Sequence, residues 1–235
     1  MIKVTEIVNR RPGMSVEDFQ DHWLNKHGPI VAKLPGLRRY VQSHTLLGGY
    51  RRGDVPFDGI AELWFDDKQA MRDMATTPEF DASKADEPNF IDASTLIELV
   101  ADEHVIKDGV VPPGAIKSIV ALRFKDGMDP AEAQNYWKDV HGPLGAAIPT
   151  VKRYVQTHAR LGAYKLPTPP PYDGLAITWA ESVDEFRAGA ETEAYRLTIA
   201  DEPNFIGRGM KVILAKEHVF IDKRWHSPNS LQSLS

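Results

Sequence analysis

Most of this chain is written twice. Trp23-Leu24-Asn25-Lys26-His27-Gly28-Pro29 returns as Trp137-Lys138-Asp139-Val140-His141-Gly142-Pro143, an offset of 114 residues. At the same offset Arg39-Tyr40-Val41-Gln42-Ser43-His44 returns as Arg153-Tyr154-Val155-Gln156-Thr157-His158. After one inserted residue, Asp58-Gly59 matches Asp173-Gly174 and Trp64 matches Trp179. Ala85-Asp86-Glu87-Pro88-Asn89-Phe90-Ile91 recurs unchanged at Ala200 to Ile206, and Glu103-His104-Val105 closes the first copy as Glu217-His218-Val219 closes the second. Motifs in one order at nearly one spacing define an internal duplication, so whatever folds one copy folds the other.

The boundary lies in Lys107-Asp108-Gly109-Val110-Val111-Pro112-Pro113-Gly114, a Gly/Pro-rich linker. It separates a module at 1–108 from a module at 115–222. The polar tail, 223–235, is expected to be poorly ordered. Within each copy the hydrophobic period predicts the same series. Strands are expected over Lys3 to Asn9 and Ile116 to Phe124. Ser15 and Asp129 then offer N-caps, Asp129 with Pro130 at the first helical position. Those helices are expected to stop near His27-Gly28-Pro29 and its repeat, since Pro cannot continue them. Strands follow over Leu37 to His44 and Gly59 to Phe65, helices over Asp67 to Ala75 and Val183 to Leu197, and last strands over Leu96 to Val105 and Lys211 to Phe220. The module is β-α-β-β-α-β, a ferredoxin-like α+β unit with an antiparallel sheet. Its open sheet face needs cover, and two modules in tandem can supply it to each other, giving a barrel-like double sheet with a cleft between the halves. Alternatively two chains pair as a homodimer to complete two barrels.

Composition narrows the function classes. With 42% hydrophobic and 26% charged residues the chain can form an ordinary core. A net charge of −5 without any basic run argues against nucleic acid or an anionic membrane as partner. Cysteine is absent, which excludes disulfides, thiolate nucleophiles and Cys-ligated metals. The first residues, MIKVTEIVNRR, carry charge at once and have no apolar stretch of a signal peptide. No window approaches the roughly 18–20 apolar residues of a membrane span, so a cytoplasmic, soluble protein is expected. Phosphate-binding glycine loops, dinucleotide fingerprints and metal-binding His/Glu spacings are missing, so neither a cofactor nor a metal is expected from motif.

The Trp-x3-His-Gly-Pro motif, the strand Tyr-x-Gln-x-His and the Asp-Glu-Pro-Asn-Phe-Ile segment resemble the EthD family of dimeric α/β-barrel proteins, and the resemblance covers both halves. It implies a tandem EthD-type barrel. The superfamily it points to includes decarboxylases, polyketide cyclases, lactone isomerases, monooxygenases and haem-binding enzymes, so it specifies fold more closely than activity.

Alternation along the second strand puts Tyr40, Gln42 and His44 on one face, as it does Tyr154, Gln156 and His158. Such a polar row is unfavourable in a dry core unless each group finds a partner. In a cleft it would supply donors and an acid or base, with Gln42 and Gln156 holding substrate. A satisfied structural network is the competing reading. His27 and His141 close the first helices, either as acid/base groups at the cleft mouth or as helix-terminal imidazoles beside the dipole; the resemblance favours a functional role for at least one. His22, opposite Tyr136, and Glu62, opposite Ile177, make the first copy more polar, and His22, with Trp64 and Trp179, is expected to bind substrate. Glu6, opposite Val120, adds to this, and Glu62 or Glu6 could be an extra carboxylate there, or Glu62 a surface charge. Trp64 and Trp179, like Trp23 and Trp137, are expected as core or cavity wall. His104 and His218 are expected to be structural, and Asp86-Glu87-Pro88 and its repeat to be a turn. The expectation is a cofactor-independent lyase, of decarboxylase, dehydratase or cyclase type, acting on a small aromatic oxygenated substrate. That choice follows the resemblance more than the residues. The alternatives are a haem- or oxygenase-associated accessory protein, as the name-giving EthD proteins accompany an oxygenase system, and a non-catalytic binding protein.

Overall fold

The computed structural model describes residues 1–223. The tail predicted from 223 lies, past Lys223, outside the described residues, as does His226. The first copy runs β1 (Ile2–Val8), α1 (Val16–His22), α2 (Gly28–Val31), β2 (Leu37–Thr45), β3 (Gly59–Phe65), α3 (Lys68–Met74), α4 (Pro78–Asp86) and β4 (Ile97–Lys107). The second runs β5 (Ile116–Leu122), α5 (Pro130–Tyr136), α6 (Gly142–Ala146), β6 (Arg153–Ala159), β7 (Gly174–Ala180), α7 (Val183–Ala190), α8 (Glu193–Asp201) and β8 (Lys211–Asp222). All neighbouring strands are antiparallel and close a barrel in the order β1-β3-β2-β8-β5-β7-β6-β4.

Two long strands join the halves. β4 pairs with β1 through Ile97 to Ala101 and then with β6 through Ala101 to Lys107. β8 likewise pairs with β5 through Lys211 to Lys216 and with β2 through Ala215 to Asp222. Each copy's last strand therefore completes the other copy's sheet. The ring closes within one chain, and no edge in it is left to pair.

Alternation then sorts the side chains. Val4, Val8, Tyr40, Ala61, Leu63 and Phe65 face outward and bury Phe19, Trp23, Val31 and Phe90 of the helical layer. Ile7, Ile60, Ile119, Val155, Leu175, Ile177 and Ile213 face inward and fill the barrel. Also inside are Lys3 and Lys117, each 1% exposed, with Glu62 between them. Lys3 Nζ lies 2.8 Å from Glu62 and 3.0 Å from Glu103, and it donates to Thr157 at 3.0 Å. Lys117 repeats the pattern with Glu62, with Glu217 at 3.0 Å and with Ser43 at 3.1 Å. The barrel centre is therefore filled, so the cleft expected between the halves is confined to one end of the barrel, where residues of both copies line it. A cavity of about 220 Å³ remains at one end, edged by Arg39, Arg153, Trp64 and Trp179.

The first helix of each copy does not end at His-Gly-Pro. Trp23–His27 and Trp137–His141 form π-turns, and the chain continues helically through Gly28 and Gly142. The wide turn lets Gly28 N–H reach Trp23 C=O, and Pro29, which has no N–H to give, enters the next turn without an orphaned bond. Glycine is needed at position 28 because a Cβ there would sit 2.2 Å from the Phe220 ring, supplied by the other copy's β8. The single helix expected over Val183 to Leu197 is two, because Thr192 caps the second by accepting from Tyr195 N–H at 3.2 Å.

The repeated Asp-Gly pair has a packing reason. Asp58 accepts from Arg10 N–H at 2.7 Å and from Tyr50 Oη at 2.6 Å, while a Cβ on Gly59 would lie 2.3 Å from the Trp23 ring and 2.8 Å from Ser43 C=O. Gly59→Ala is expected to lower stability by about 1–3 kcal/mol in denaturant titration, since Trp23 is fully buried and its neighbour is backbone.

Candidate active site

The chemistry of each copy lies between its sheet and its helices. In the first copy a cavity of about 160 Å³ is enclosed by Val4, Glu6, Trp23, His27, Tyr40 and Leu63, with Met71, Phe80 and Lys84 from the covering helices. At roughly 10–15 Å³ per water it holds on the order of ten waters, or one small organic molecule.

His27 is placed there by the π-turn and held by the repeated Asp86. Its Nδ1 lies 3.0 Å from Asp86 Oδ2, and the same carboxylate takes His22 Nε2 at 3.0 Å and Asn89 Nδ2 at 3.0 Å. Phe90 packs against both imidazoles, with centroids at 4.9 Å for His22 and 4.7 Å for His27. Burial alone would raise Asp86, but the donors from Asn89, His22 and His27 outweigh it and keep the carboxylate low. Asp86 thus accepts, His27 Nδ1 carries the proton, and Nε2 is the basic nitrogen. Burial lowers the His27 pKa below that of an ordinary histidine, partly offset by Asp86, which leaves a neutral imidazole. A histidine oriented by a buried-edge carboxylate is the arrangement of a general base.

Glu6 supplies the opposite function. It lies directly across the sheet from Glu98, a like-charge pairing that weakens a sheet. Burial pushes its carboxyl up to about 7; Lys84 pulls it down, and Glu87 and Glu98 add to the rise. What surface Glu6 retains opens on the cavity it lines. One small chamber thus combines a neutral histidine with a carboxylic acid that gives up its proton near neutrality.

The second copy keeps half of this. His141 Nδ1 lies 2.9 Å from Asp201 Oδ2, and Tyr136, in place of His22, donates to Asp201 Oδ1 at 2.6 Å. Its cavity is larger, about 350 Å³, and presents Val120, Ile199 and Val212 where the first presents Glu6, Lys84 and Glu98.

The Tyr-x-Gln-x-His rows do face one way, toward the helices, but only their tyrosines line these cavities. Gln42 Nε2 donates to Trp23 C=O at 2.9 Å and to Tyr40 Oη at 2.6 Å, and its Oε1 accepts from His44 Nε2 at 2.9 Å. Gln156 repeats this with Trp137 C=O at 2.9 Å, Tyr154 Oη at 3.0 Å and His158 at 2.9 Å. His44 lies flat against Trp23, at 4.4 Å and 3°, and meets His218 at 4.6 Å. His158 lies against Trp137 at 4.4 Å and meets His104 at 4.5 Å. Burial pushes His44 and His158 down to about 3, so both are neutral. Burial lifts Tyr154 to about 12 and Tyr40 beyond the usual tyrosine range. The rows are filled hydrogen-bond chains behind the cavities, and His44 and His158 lie away from the space they were expected to serve.

The other expected residues separate as well. Glu62 is neither in a cavity between helices and sheet nor on the surface; Lys117 and Lys3 outweigh its burial and hold it ionised in the barrel. Trp64 and Trp179 edge the cavity at the barrel end. His22 supports Asp86 and does not line the chamber. Sequence reasoning passed over Asp86 and Asp201, read as turn residues. The signal available was that Asp-Glu-Pro-Asn-Phe recurs without change while its surroundings drift. Among the described residues no group of His, Asp and Glu is arranged to hold a metal ion. Among the same residues no helix is long and apolar enough to cross a membrane.

Comparison with known proteins bears on the family and the fold. The EthD domain matches residues 11–94 and again residues 125–209. No curated protein matches the sequence. Among solved structures, an anthrone oxidase-like protein superposes with a TM-score of 0.65 at 9% identity, over 96% of this chain and 95% of its own. A Lactobacillus acidophilus NCFM protein provisionally described as a monooxygenase gives 0.56 at 11% identity, over 94% and 95%. An EthD family protein of Bacillus halodurans C-125 is 26% identical over 44% of this chain and 99% of its own, with a TM-score of 0.38.

Proposed function

Because the chain belongs to the EthD family and carries its domain twice, we propose that the first copy's cavity is the active site of a small-molecule enzyme, a cofactor-independent lyase of dehydratase, decarboxylase or cyclase type. The observation that supports this is the sharing of one enclosed chamber by the Asp86-held His27 and the proton-retaining Glu6. The aromatic and aliphatic walls, Trp23, Tyr40, Leu63 and Phe80, suit a small oxygenated ring compound.

His27 Nε2 takes a proton from the carbon beside a substrate carbonyl, and the C–H electrons move onto the carbonyl oxygen. The Glu6 carboxyl donates a hydrogen bond to that oxyanion, in a chamber where little water competes. When the electrons return, the bond to a β-hydroxyl breaks and His27 hands its proton to the leaving oxygen, releasing water. In a decarboxylation the C–C electrons form the enolate as CO2 leaves, and the Glu6 carboxyl gives its proton to the enolate carbon. Asp86 and His22 position the base and remain outside the reacting atoms.

The test is a turnover screen of phenolic and 2-carboxy aromatic compounds with the full chain. On a compound that is consumed, His27→Gln is expected to reduce kcat by about 10²–10⁴-fold with the circular dichroism spectrum unchanged. Glu6→Gln is expected to abolish the loss of activity above about pH 7, where Glu6 gives up its proton. A Soret band in the purified protein, or turnover indifferent to both substitutions, would overturn the reading in favour of a haem-linked or carrier role.

A further inference from the structure

The second cavity differs from the first in kind, and the difference points to its occupant. We propose that it is a binding site for a bulky, mainly apolar small molecule that carries one hydrogen-bond acceptor, such as an aryl ketone or ester, and that it does not turn that molecule over. The proposal stands apart from the chemistry assigned to the first cavity.

Three charged side chains of the first chamber are replaced by hydrocarbon at the matching positions, while Tyr40, Ser83 and Glu87 stay polar as Tyr154, Thr198 and Glu202. Glu6, Lys84 and Glu98 become Val120, Ile199 and Val212. The wall is completed by Leu122, Ile148, Phe186 and Tyr195, and the volume is about 350 Å³ against about 160 Å³. Ile199 and Val212 line this cavity and are 40% and 51% exposed, unusual for large apolar side chains, and they form a hydrocarbon mouth. An anionic ligand would lose its hydration there without compensation.

Two buried polar atoms of the lining lack partners, and the indole argues for an acceptor on the ligand. Trp137 lines the cavity and is 0% exposed, yet its indole N–H has no partner. Thr150 also lines it, and its buried hydroxyl has no partner either. An indole nitrogen can only donate, so a carbonyl or ether oxygen answers it. An unmet buried donor is unfavourable in the empty protein, so filling it adds to affinity. His141 is neutral, because burial lowers its pKa and Asp201 offsets this only in part. Glu202 also lines the cavity, with burial raising its carboxyl, but the position of Glu6 is held by Val120 and no carboxyl faces the cavity from the sheet there.

The test is calorimetric titration of the full chain with 1-acetonaphthone, and with benzoate as a charged counterpart. Acetonaphthone is expected to bind at a single site and benzoate not to compete. Ile199→Lys with Val212→Glu, which restores the first copy's charges at exposed positions, is expected to weaken binding by about tenfold or more. Ala190→Leu, which fills the cavity from α7, is expected to do the same. Both variants should keep the wild-type melting temperature and any turnover that depends on His27, whereas His27→Gln should leave acetonaphthone binding unchanged. The proposal is overturned if wild-type protein does not bind acetonaphthone, if benzoate competes with it, or if affinity follows His27→Gln and ignores both second-copy variants. Loss of His27-dependent turnover with acetonaphthone binding intact would count against the first-cavity reading alone.

Discussion

Glu62→Ala is expected to be among the most destabilising single substitutions in this protein, lowering the free energy of unfolding by about 3–5 kcal/mol. Glu62 is 1% exposed and is the shared counter-ion of Lys3 and Lys117, themselves fully buried. Without it each ammonium keeps only its outer carboxylate, Glu103 or Glu217. The bridge is nevertheless no proof of net stabilisation, because removing three ions from water offsets much of their attraction. The triple change Lys3→Met, Glu62→Ile and Lys117→Met should therefore come within about 2 kcal/mol of wild type, and Ile177 already shows that the barrel accepts isoleucine at the position matching Glu62. Equilibrium urea unfolding of both variants decides this. Equal losses would mean that packing, and not charge pairing, sets the effect.

That network marks the limit of what the sequence disclosed. The duplication, the element series and the strand faces could be read because each rests on local periodicity: alternation put Tyr40, Gln42 and His44 on one face, and the structure has them there. Which side of the sheet that face meets is set by the other copy. The row looked like a cleft wall, and it became a closed chain because Trp23 C=O, which takes Gly28 N–H in the π-turn, also receives Gln42. Lys3 and Lys117 look like ordinary strand lysines until closure of the barrel places one glutamate between them. His27 was found by its repeat. Its partner Asp86 lies 59 residues away and becomes visible only in three dimensions.

A second large effect is expected in acid. His44 and His158 titrate in the fold near 3, well below the ordinary histidine value of 6.5, because both are buried. An unfolded chain therefore takes up protons at these sites below about pH 6.5 while the folded chain does not. Their contribution to stability is full above that pH and is lost as the pH falls toward 3. Each site gives about 1.4 kcal/mol per pH unit, so the pair gives a slope of about 3 kcal/mol per unit in the middle of that window. His27 and His141, also lowered by burial, act in the same direction. Glu6 acts in the other: its raised pKa of about 7 contributes most below the ordinary carboxyl range, and that contribution fades as the pH rises through 7. With His104 and His218 also lowered by burial, six histidines outweigh the two raised carboxyls, Glu6 and Glu202, so unfolding midpoints should fall steeply between pH 6.5 and 4. His44→Gln with His158→Gln should flatten the profile. A stability independent of pH over this interval would show that these imidazoles are not held neutral.

The exchange of last strands also bears on how such a chain can change over generations. In a symmetric pair of identical subunits every substitution is made twice, so both sites must tolerate it. Once the two copies are fused, each substitution is made once, and one pocket can exchange its carboxylates for valines while its twin keeps them. That freedom is incomplete, because Phe220 from the second copy packs on Tyr40 and His218 meets His44, as His104 from the first meets His158. The packing behind each site is thus supplied in part by the other half of the gene. A shuffled or truncated descendant that kept only one half would retain the residues lining its pocket and lose the strand that backs them.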